Sequence, residues 1–448
     1  MTRHVKMTVP FMLVVLSASC AAAAEWYVDN QAAGSQSGAD WANAYTNFAA
    51  AVSNVWGAGA NSGDTVYIRQ AAGAPDYGGG LVIGAGFADG TPEAYNRIVG
   101  WSGEGYAARP RIRMSAKGFL VTLGKTNEVS RNYYEFRNLS FYGNDLYNSG
   151  SLLLCYQTSN VRFLNNVCTN ASFRAADGSN AAKTNLLIQS NLFGSQSVCE
   201  FRHAYDVRIL DNVVTPNAGT VSAIYLSYIC GRVQIQGNRV IGGDCVCAQS
   251  ASDVTVARNL FKASYRAGIF TDNSPDRWLV CNNIFYGVTG SHASYPNGFG
   301  INVFRNPSLK IVNNTFHDFP ETGSVAMLLA TNVRDAVVFN NIVSGVSTGL
   351  VYAAGCTATN DYNAFWDVEV PHTGLALAGP NDRLADPQFA DTNSLNFKLG
   401  NGALKYSAAL SFKSVPAPAD DYYGTPRGAA ISFGAIESPS GGTQLRVE

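Results

Sequence analysis

The stretch Tyr205–Val288 decides the fold. It contains YDVRILDNVV (205–214), GRVQIQGNRV (231–240), SDVTVARNLF (252–261) and DRWLVCNNIF (276–285), four versions of one unit. Each runs through a polar turn, an alternating strand, an asparagine and a short second strand. Outward from there the unit recurs as EFRNLSF, VRFLNNV, LLIQSNLF, LKIVNNTF and VVFNNIV, and in degraded form as NDYNAFW. The shared asparagines are Asn138, Asn166, Asn191, Asn212, Asn238, Asn259, Asn283, Asn314, Asn341 and Asn363, at a mean spacing of 25 residues. Self-similarity at such a period marks a solenoid.

The parts of the unit set the type of solenoid. Val207 and Ile209 alternate with Arg208 and Leu210, the period of two that marks a strand. The asparagine is expected to supply the left-handed backbone of a sharp corner between strands. No helical periodicity spans the positions between turns. Each coil should therefore stack its strands on the coil below, about 4.8 Å away. The period leaves room for three strands per coil and one loop of variable length, and the hexapeptides of left-handed β-helices are absent. In these features the chain resembles the right-handed parallel β-helix of the pectate-lyase-like superfamily, over roughly residues 26–437. The resemblance implies an all-β solenoid of about ten or more coils. It also implies a polysaccharide groove floored by one exposed sheet.

Composition narrows the partners. A chain of 448 residues would ordinarily divide into domains, but a solenoid grows by stacking instead. Charged residues make up 14% of it, against about 25% in an average protein, as suits stacked Asn, Ser and Thr. Net charge is −1 without basic or acidic runs, which argues against nucleic acid and anionic membrane surfaces as partners. A polysaccharide partner and a monomeric chain are expected.

The first 24 residues read as a signal peptide. Arg3, His4 and Lys6 precede the apolar run Val9–Leu16, and Ala22, Ala23 and Ala24 offer a cleavage site before Glu25. The run is too short for a membrane anchor. Lipidation at Cys20 is the rival, but Ser17 stands where a lipobox carries leucine. A secreted or periplasmic chain of bacterial type is expected. Cys155, Cys168, Cys199, Cys230, Cys245, Cys247, Cys281 and Cys356 then remain, read as core thiols, with disulfides as the alternative that export allows.

Beyond the signal, residues 25–62 are expected to cap the solenoid, with a short helix within Asp40–Trp56 carrying Phe48, Val52 and Val55 at helical spacing. Gly63–Gln70 reads as a first strand and Ala71–Pro92 as a long loop outside the coils. Regular coils are expected over 132–366, a closing segment over 367–437 and a disordered tail over 438–448. Asn144–Gly150, Asn170–Lys183 and Gly287–Phe299 exceed the repeat and should project as loops that wall a site. LADPQF (384–389), LNFKL (395–399), YYGTPRG (422–428) and FGAIE (433–437) resemble the terminal segment of exported bacterial β-helix proteins, with Ser432 where those carry Asp. Asp386 and Glu437 are read as parts of that closure, not as catalysts.

The chemistry is sought on the strand before each polar turn. Alternation points Cys155, Phe201, Ser227, Val246 and Val303 inward. It points Tyr156, Glu200, Arg202, Tyr228, Gln249, Thr271, Asn273, Asn302 and Phe304 outward, as a strip of aromatic, amide and charged groups. Uronate β-elimination needs a cation for the carboxylate and a base for the neighbouring proton. Arg202 and Tyr228 are the candidates, with Arg266 and His203 nearby. Glycoside hydrolysis needs two carboxyls about 5–10 Å apart, for which Glu200 and Asp272 are the candidates. Tyr156, Gln249, Asn273, Asn302 and Phe304 would contact the sugar. Neither an RxPxxR nor an NGxE stretch is present, and the polygalacturonase-like motifs NTD, GHG and RIK are absent. Calcium stays open as a cofactor, though no acidic cluster supplies its oxygens. The expected function is an exported polysaccharide lyase, ahead of a hydrolase. The alternatives are a non-catalytic glycan-binding or cell-surface protein, and a uronate epimerase.

Overall fold

The computed structural model describes residues 23–438 except 58–61, 115–117, 125–129, 144–149, 177–180, 217–221, 274–275 and 401, with the backbone alone over 150–155. The expected signal peptide falls almost wholly outside these residues, as does the expected tail after Ser438. One coil shows the plan. Ala204–Leu210 lies in a first sheet, Val213–Thr215 in a third and Ser222–Ser227 in a second, before Cys230–Gln236 re-enters the first. Successive coils pair in parallel and in register, so that Val207 stands on Val233 and Ile209 on Ile235. Repetition gives, among the described residues, sheets of 13, 12 and 13 strands, the parallel β-solenoid that the repeat predicts.

The inward half of each alternation forms one continuous core. Val161, Leu186, Val207, Val233, Val254 and Trp278 stack along the first sheet, all buried. Phe285 and Phe316 stack in the third, with ring centroids 4.6 Å apart and planes 7° from parallel. Each such side chain contributes about 1.5–3 kcal/mol on burial, and β-branched residues suit the pleat.

The corner between the first and third sheets works differently from the expectation. The left-handed residue is the one before the conserved-looking asparagine of each unit: Asn165, Ser190, Asp211, Gly237, Arg258, Asn282, Asn313, Asn340 and Tyr362 all have positive φ. Asn138 belongs to this set (φ 57°), so it lies one position out of the column in which the sequence placed it. The column proper runs from Asn166 to Asn363, buried throughout, and is selected for its amide. Asn259 is representative: its Nδ2 donates to the Ile235 carbonyl (2.9 Å) and to Asn283 Oδ1 (2.9 Å), while its Oδ1 accepts from Asn238 N (2.9 Å) and Nδ2 (3.0 Å). The column ends where Asn363 N donates to Asp382 Oδ1 (2.8 Å).

At the amino-terminal end the helix Phe48–Trp56 starts at Asn47, whose side chain accepts from Ala50 N, and buries Phe48, Val52, Val55 and Trp56 over the core. The coils start earlier than residue 132. Glu25–Asp29 already pairs with Thr65–Arg69 in the first sheet. Ala71–Pro92 is no outer loop either: Tyr77–Gly78 and Leu81–Ile83 begin the third and second sheets, turned by Gly79 and Gly80 (φ 94° at Gly80). Two-residue and three-residue strands between glycines carry too few side chains to show a period. At the other end the chain folds back along the solenoid. Phe397, Ala435 and Ile436 cover Leu260 and Ile284, while Ala409 and Val415 cover Val312 and Phe339. Arg427 and Glu437 pair within this closure at 2.8 Å, both nearly buried, and Ser432 Oγ donates to Glu437. Glu437 is a structural carboxylate. Among the described residues, seven cysteines are buried free thiols; the Cys155 side chain lies outside them.

Candidate functional site

Along the outward face of the second sheet, one register column reads Arg174, Glu200, Tyr225, Cys247, Phe270, Asn302, Leu328. Glu200 and Arg202, two apart on Cys199–Arg202, share that face. Arg202 Nη2 lies 2.6 Å from Glu200 Oε1, and Arg174 Nε lies 3.0 Å from Glu200 Oε2. The carboxylate is 6% exposed, not surface-mounted as its outward parity suggests, because the two guanidiniums lie over it. Two cations against one carboxylate leave the cluster with one excess positive charge.

Tyr228 flanks that cluster. The Arg202 guanidinium lies 5.3 Å from its ring centroid, and the His203 ring stacks on it at 5.9 Å. Tyr228 lies past the end of Ser222–Ser227, in a turn where it and Ile229 both have positive φ (48° and 59°). A β-branched residue there is strained, by about 1–3 kcal/mol, and both side chains are held out in solvent, 57% and 58% exposed. Tyr225, beside Glu200, has its hydroxyl held above the ordinary tyrosine value, first by burial and then by Cys247 and Glu200. It is a proton donor at neutral pH.

The other expected residues fall into separate places. Arg266 is committed to Asp244, with Nε 2.9 Å from Oδ2, and lies flat over Phe270 at 3.9 Å. Cys247, 3.5 Å from the same guanidinium, has its thiol pushed up to about 11 by burial. Asp272 is aligned with Gln249, three coil steps from Arg202 and so roughly 14 Å away. Its Oδ1 caps Asn273 N. Glu200 and Asp272 therefore do not form the carboxyl pair of a hydrolase. Thr271 points inward and is buried, correcting the parity assigned to it: Ile269 and Thr271 are the inward pair of Ala267–Asp272, and Phe270 is outward. Tyr156, Asn273 and Phe304 sit just beyond strand ends, Gln249 at one, and Asn302 is outward yet completely buried. Of the residues assigned inward, Phe201, Val246 and Val303 are buried in the core as predicted. Ser227 is buried too, but it pairs with Arg202 and alternates with Leu226, so its parity is outward; the Cys155 side chain lies outside the described residues.

Sequence reasoning missed Arg174 and Tyr225. Arg174 lies in an interval read as an inserted loop, but Ser172–Ala175 is a strand of the second sheet. Tyr225 was hidden by setting the parity of AIYLSYI on its last residues. The apolar pair Ile224 and Leu226, both fully buried, sets it correctly. Calcium does not fit the cluster. Both Glu200 oxygens face guanidiniums, and no group of three or more His, Cys, Asp or Glu converges among the described residues. A separate depression of about 420 Å³ on the first sheet is lined by Asp206, Arg208, Arg232 and Asp253, with Arg232 paired to Asp206 at 2.6 Å and Asp253 to Arg277 at 2.7 Å.

The family described as the right handed beta helix region matches residues 222–379. The fold is a right-handed parallel β-helix. Similar solved structures include a complex of XylC with xylose, 9% identical, covering 92% of this chain and 98% of that one at a TM-score of 0.57. A mutant DFA-IIIase from Arthrobacter chlorophenolicus A6 in complex with DFA-III is 14% identical, covering 81% and 99% at 0.51. The PL6 family alginate lyase AlyGC is 13% identical, covering 89% and 60% at 0.49. At these identities the likeness is one of fold. No curated protein sequence matches the chain. None of the helices among the described residues is long and apolar enough to cross a membrane.

Proposed function

We propose that the chain is an exported carbohydrate-active β-helix protein that binds an acidic polysaccharide across Arg174, Glu200, Arg202 and Tyr228 and cleaves it by β-elimination. The observation that carries this reading is the excess positive charge at Glu200 with an exposed phenol beside it. A uronate carboxylate takes a hydrogen-bonded place on Arg202, which acidifies the proton on the adjacent ring carbon. In this reading Tyr228, as the phenolate, or His203, whose ring stacks on it at 5.9 Å, receives that proton. The electron pair left behind forms the ring double bond as the bond to the leaving glycosidic oxygen breaks, and that oxygen takes up a proton. Glu200 is a positioning residue that holds both guanidiniums. Returning the proton to the opposite ring face instead would make the same site an epimerase. The carbohydrate ligands of the XylC and DFA-IIIase structures accord with a sugar-binding surface on such a fold.

The test follows the ultraviolet absorbance of unsaturated product and reducing ends together, over uronate and neutral polysaccharides. Arg202→Ala and Tyr228→Phe should each lower product formation by about 10²-fold or more, with Tyr228→Phe retaining binding. Binding without any product supports instead the recognition reading, which the prior commitment of both arginines to Glu200 favours. Reducing ends without absorbance would sink the lyase.

A further inference from the structure

Asn302 lies on the outward face of Phe299–Val303, between the inward Ile301 and Val303. It is completely buried, and neither its Oδ1 nor its Nδ2 has a hydrogen-bond partner. Its surroundings explain the lack of one. The register places it between Phe270 and Leu328, and along its own chain Phe299 and Phe304 flank it. Tyr295 closes over this patch, its ring 5.6 Å from Phe270 and 6.0 Å from Phe299, while Phe304 lies 6.0 Å from Phe270. An amide with both ends unpaired among aromatic rings is costly, and such a group in a folded protein calls for a reason.

The cover sits at the tip of a compact loop whose base is tied to Tyr265 and Glu321. Tyr295 rides on the loop 290–298, whose two limbs meet at a neck: a Cβ on Gly290 would lie 2.4 Å from Gly298 N, and Gly298 has φ 68°. Ends so close, with glycine at both, make this a compact Ω-type loop. Its tip, Ala293–Asn297, is held mainly by its own bonds, Tyr295 N to the His292 carbonyl and Ser294 N to His292 Nδ1.

We propose that Phe270, Phe304 and Asn302 form a subsite for a neutral sugar ring, covered by Tyr295 when empty. The ring lies against the aromatic faces, and one carboxamide serves two of its hydroxyls, one donating to Oδ1 and one accepting from Nδ2. An acidic unit is disfavoured there: the cation over Phe270, Arg266, is neutralised by the buried Asp244, and Asp272 stands two residues from Phe270 on the same face. It lies four coil steps from Glu200, roughly 19 Å along the same column. This rests on the reading of the second sheet as the polysaccharide face, and extends it from an acidic unit at Arg202 to a mixed polymer carrying neutral units farther along.

Asn302→Leu, of similar volume, separates the outcomes. Binding of neutral tetrasaccharides of xylose, mannose and glucose, and of tetragalacturonate, would be measured by calorimetry for wild type, Asn302→Leu and Arg202→Ala, alongside melting temperatures. The expected result is that Asn302→Leu melts higher than wild type, because an unpaired amide is gone, yet loses about tenfold or more in affinity for the neutral ligand, with tetragalacturonate binding unchanged. A lower melting temperature would mean that a structural water satisfies Asn302, and would overturn the proposal. So would neutral binding that is absent in wild type or indifferent to Asn302→Leu. Tetragalacturonate binding insensitive to Arg202→Ala would instead remove the acidic reading and leave the neutral subsite standing.

Discussion

At the scale of single residues, the asparagine column is where the fold is most exposed to damage. Asn259 makes contacts no other side chain reproduces: it needs a donor pair and an acceptor in one plane. Asn259→Ala would leave the Asn238 amide N–H and the Ile235 carbonyl without their partner in a dry interior. The expected loss is about 3 kcal/mol or more, read as a lower urea midpoint with unchanged slope. Asparagine's presence in every unit was legible in the sequence, but its reason was not. Its tolerance of left-handed backbone is a property of the isolated residue, whereas its use here is a hydrogen-bond geometry that exists only between coils. The neighbour that does take the left-handed conformation varies from Asp211 to Gly237 to Arg258, so no single residue type announced it.

At the scale of elements, the long alternating strands were readable and the short ones were not. VRIL and VQIQ declare their faces; Leu81–Ile83 between glycines does not. Site parity failed for a related reason. Ala267–Asp272 places both Gly268 and Ile269 inward before alternation resumes, and such an irregularity inverts any count taken from one end. The closing segment was legible as a terminal motif, yet the surface it covers was not, since that is a long-range docking. His317 sits at that docking, 5.2 Å from Phe389 and 5.6 Å from Phe397. Burial lowers its proton affinity, against the opposing influence of Asp318. The unfolded chain therefore binds this proton more readily than the folded one, so the contribution is intact above the unfolded value of about 6.5 and is lost as the pH falls through it. Melting temperatures between about pH 7 and pH 5 should fall less steeply in His317→Phe than in wild type. Parallel profiles would show that His317 keeps the same proton affinity in both states.

At the scale of the whole molecule, the coil is the unit of change. Deleting Asn191–Asp211 joins Ser190 to Asn212 and removes one complete turn, restoring every register pair between the coils on either side. This deletion should fold with a cooperative melt, while losing Glu200, Arg202 and with them the binding of acidic ligand. Removing one residue more should abolish folding, because a shift of one exchanges the inward and outward faces of every strand it reaches. Circular dichroism of the two deletions checks this directly. The period of the repeat was sufficient to foresee the architecture, because nearest-neighbour stacking makes local similarity and global structure the same statement.

The asparagine column also has a direction. From Asn166 to Asn341 each amide turns an N–H toward the following coil and its oxygen toward the preceding one. Small dipoles aligned head to tail reinforce one another, and in a dry interior each polarises the next. Their positive end emerges at the last coils, where the Asn363 side-chain amide donates to the Val338 and Asp361 carbonyls and its backbone N–H to the carboxylate of Asp382, itself 3.1 Å from His372. A negative charge at the positive pole of an aligned column is the arrangement that stabilises helix ends. The solenoid is thus electrically polar along its axis, and Asp382 is its counter-charge.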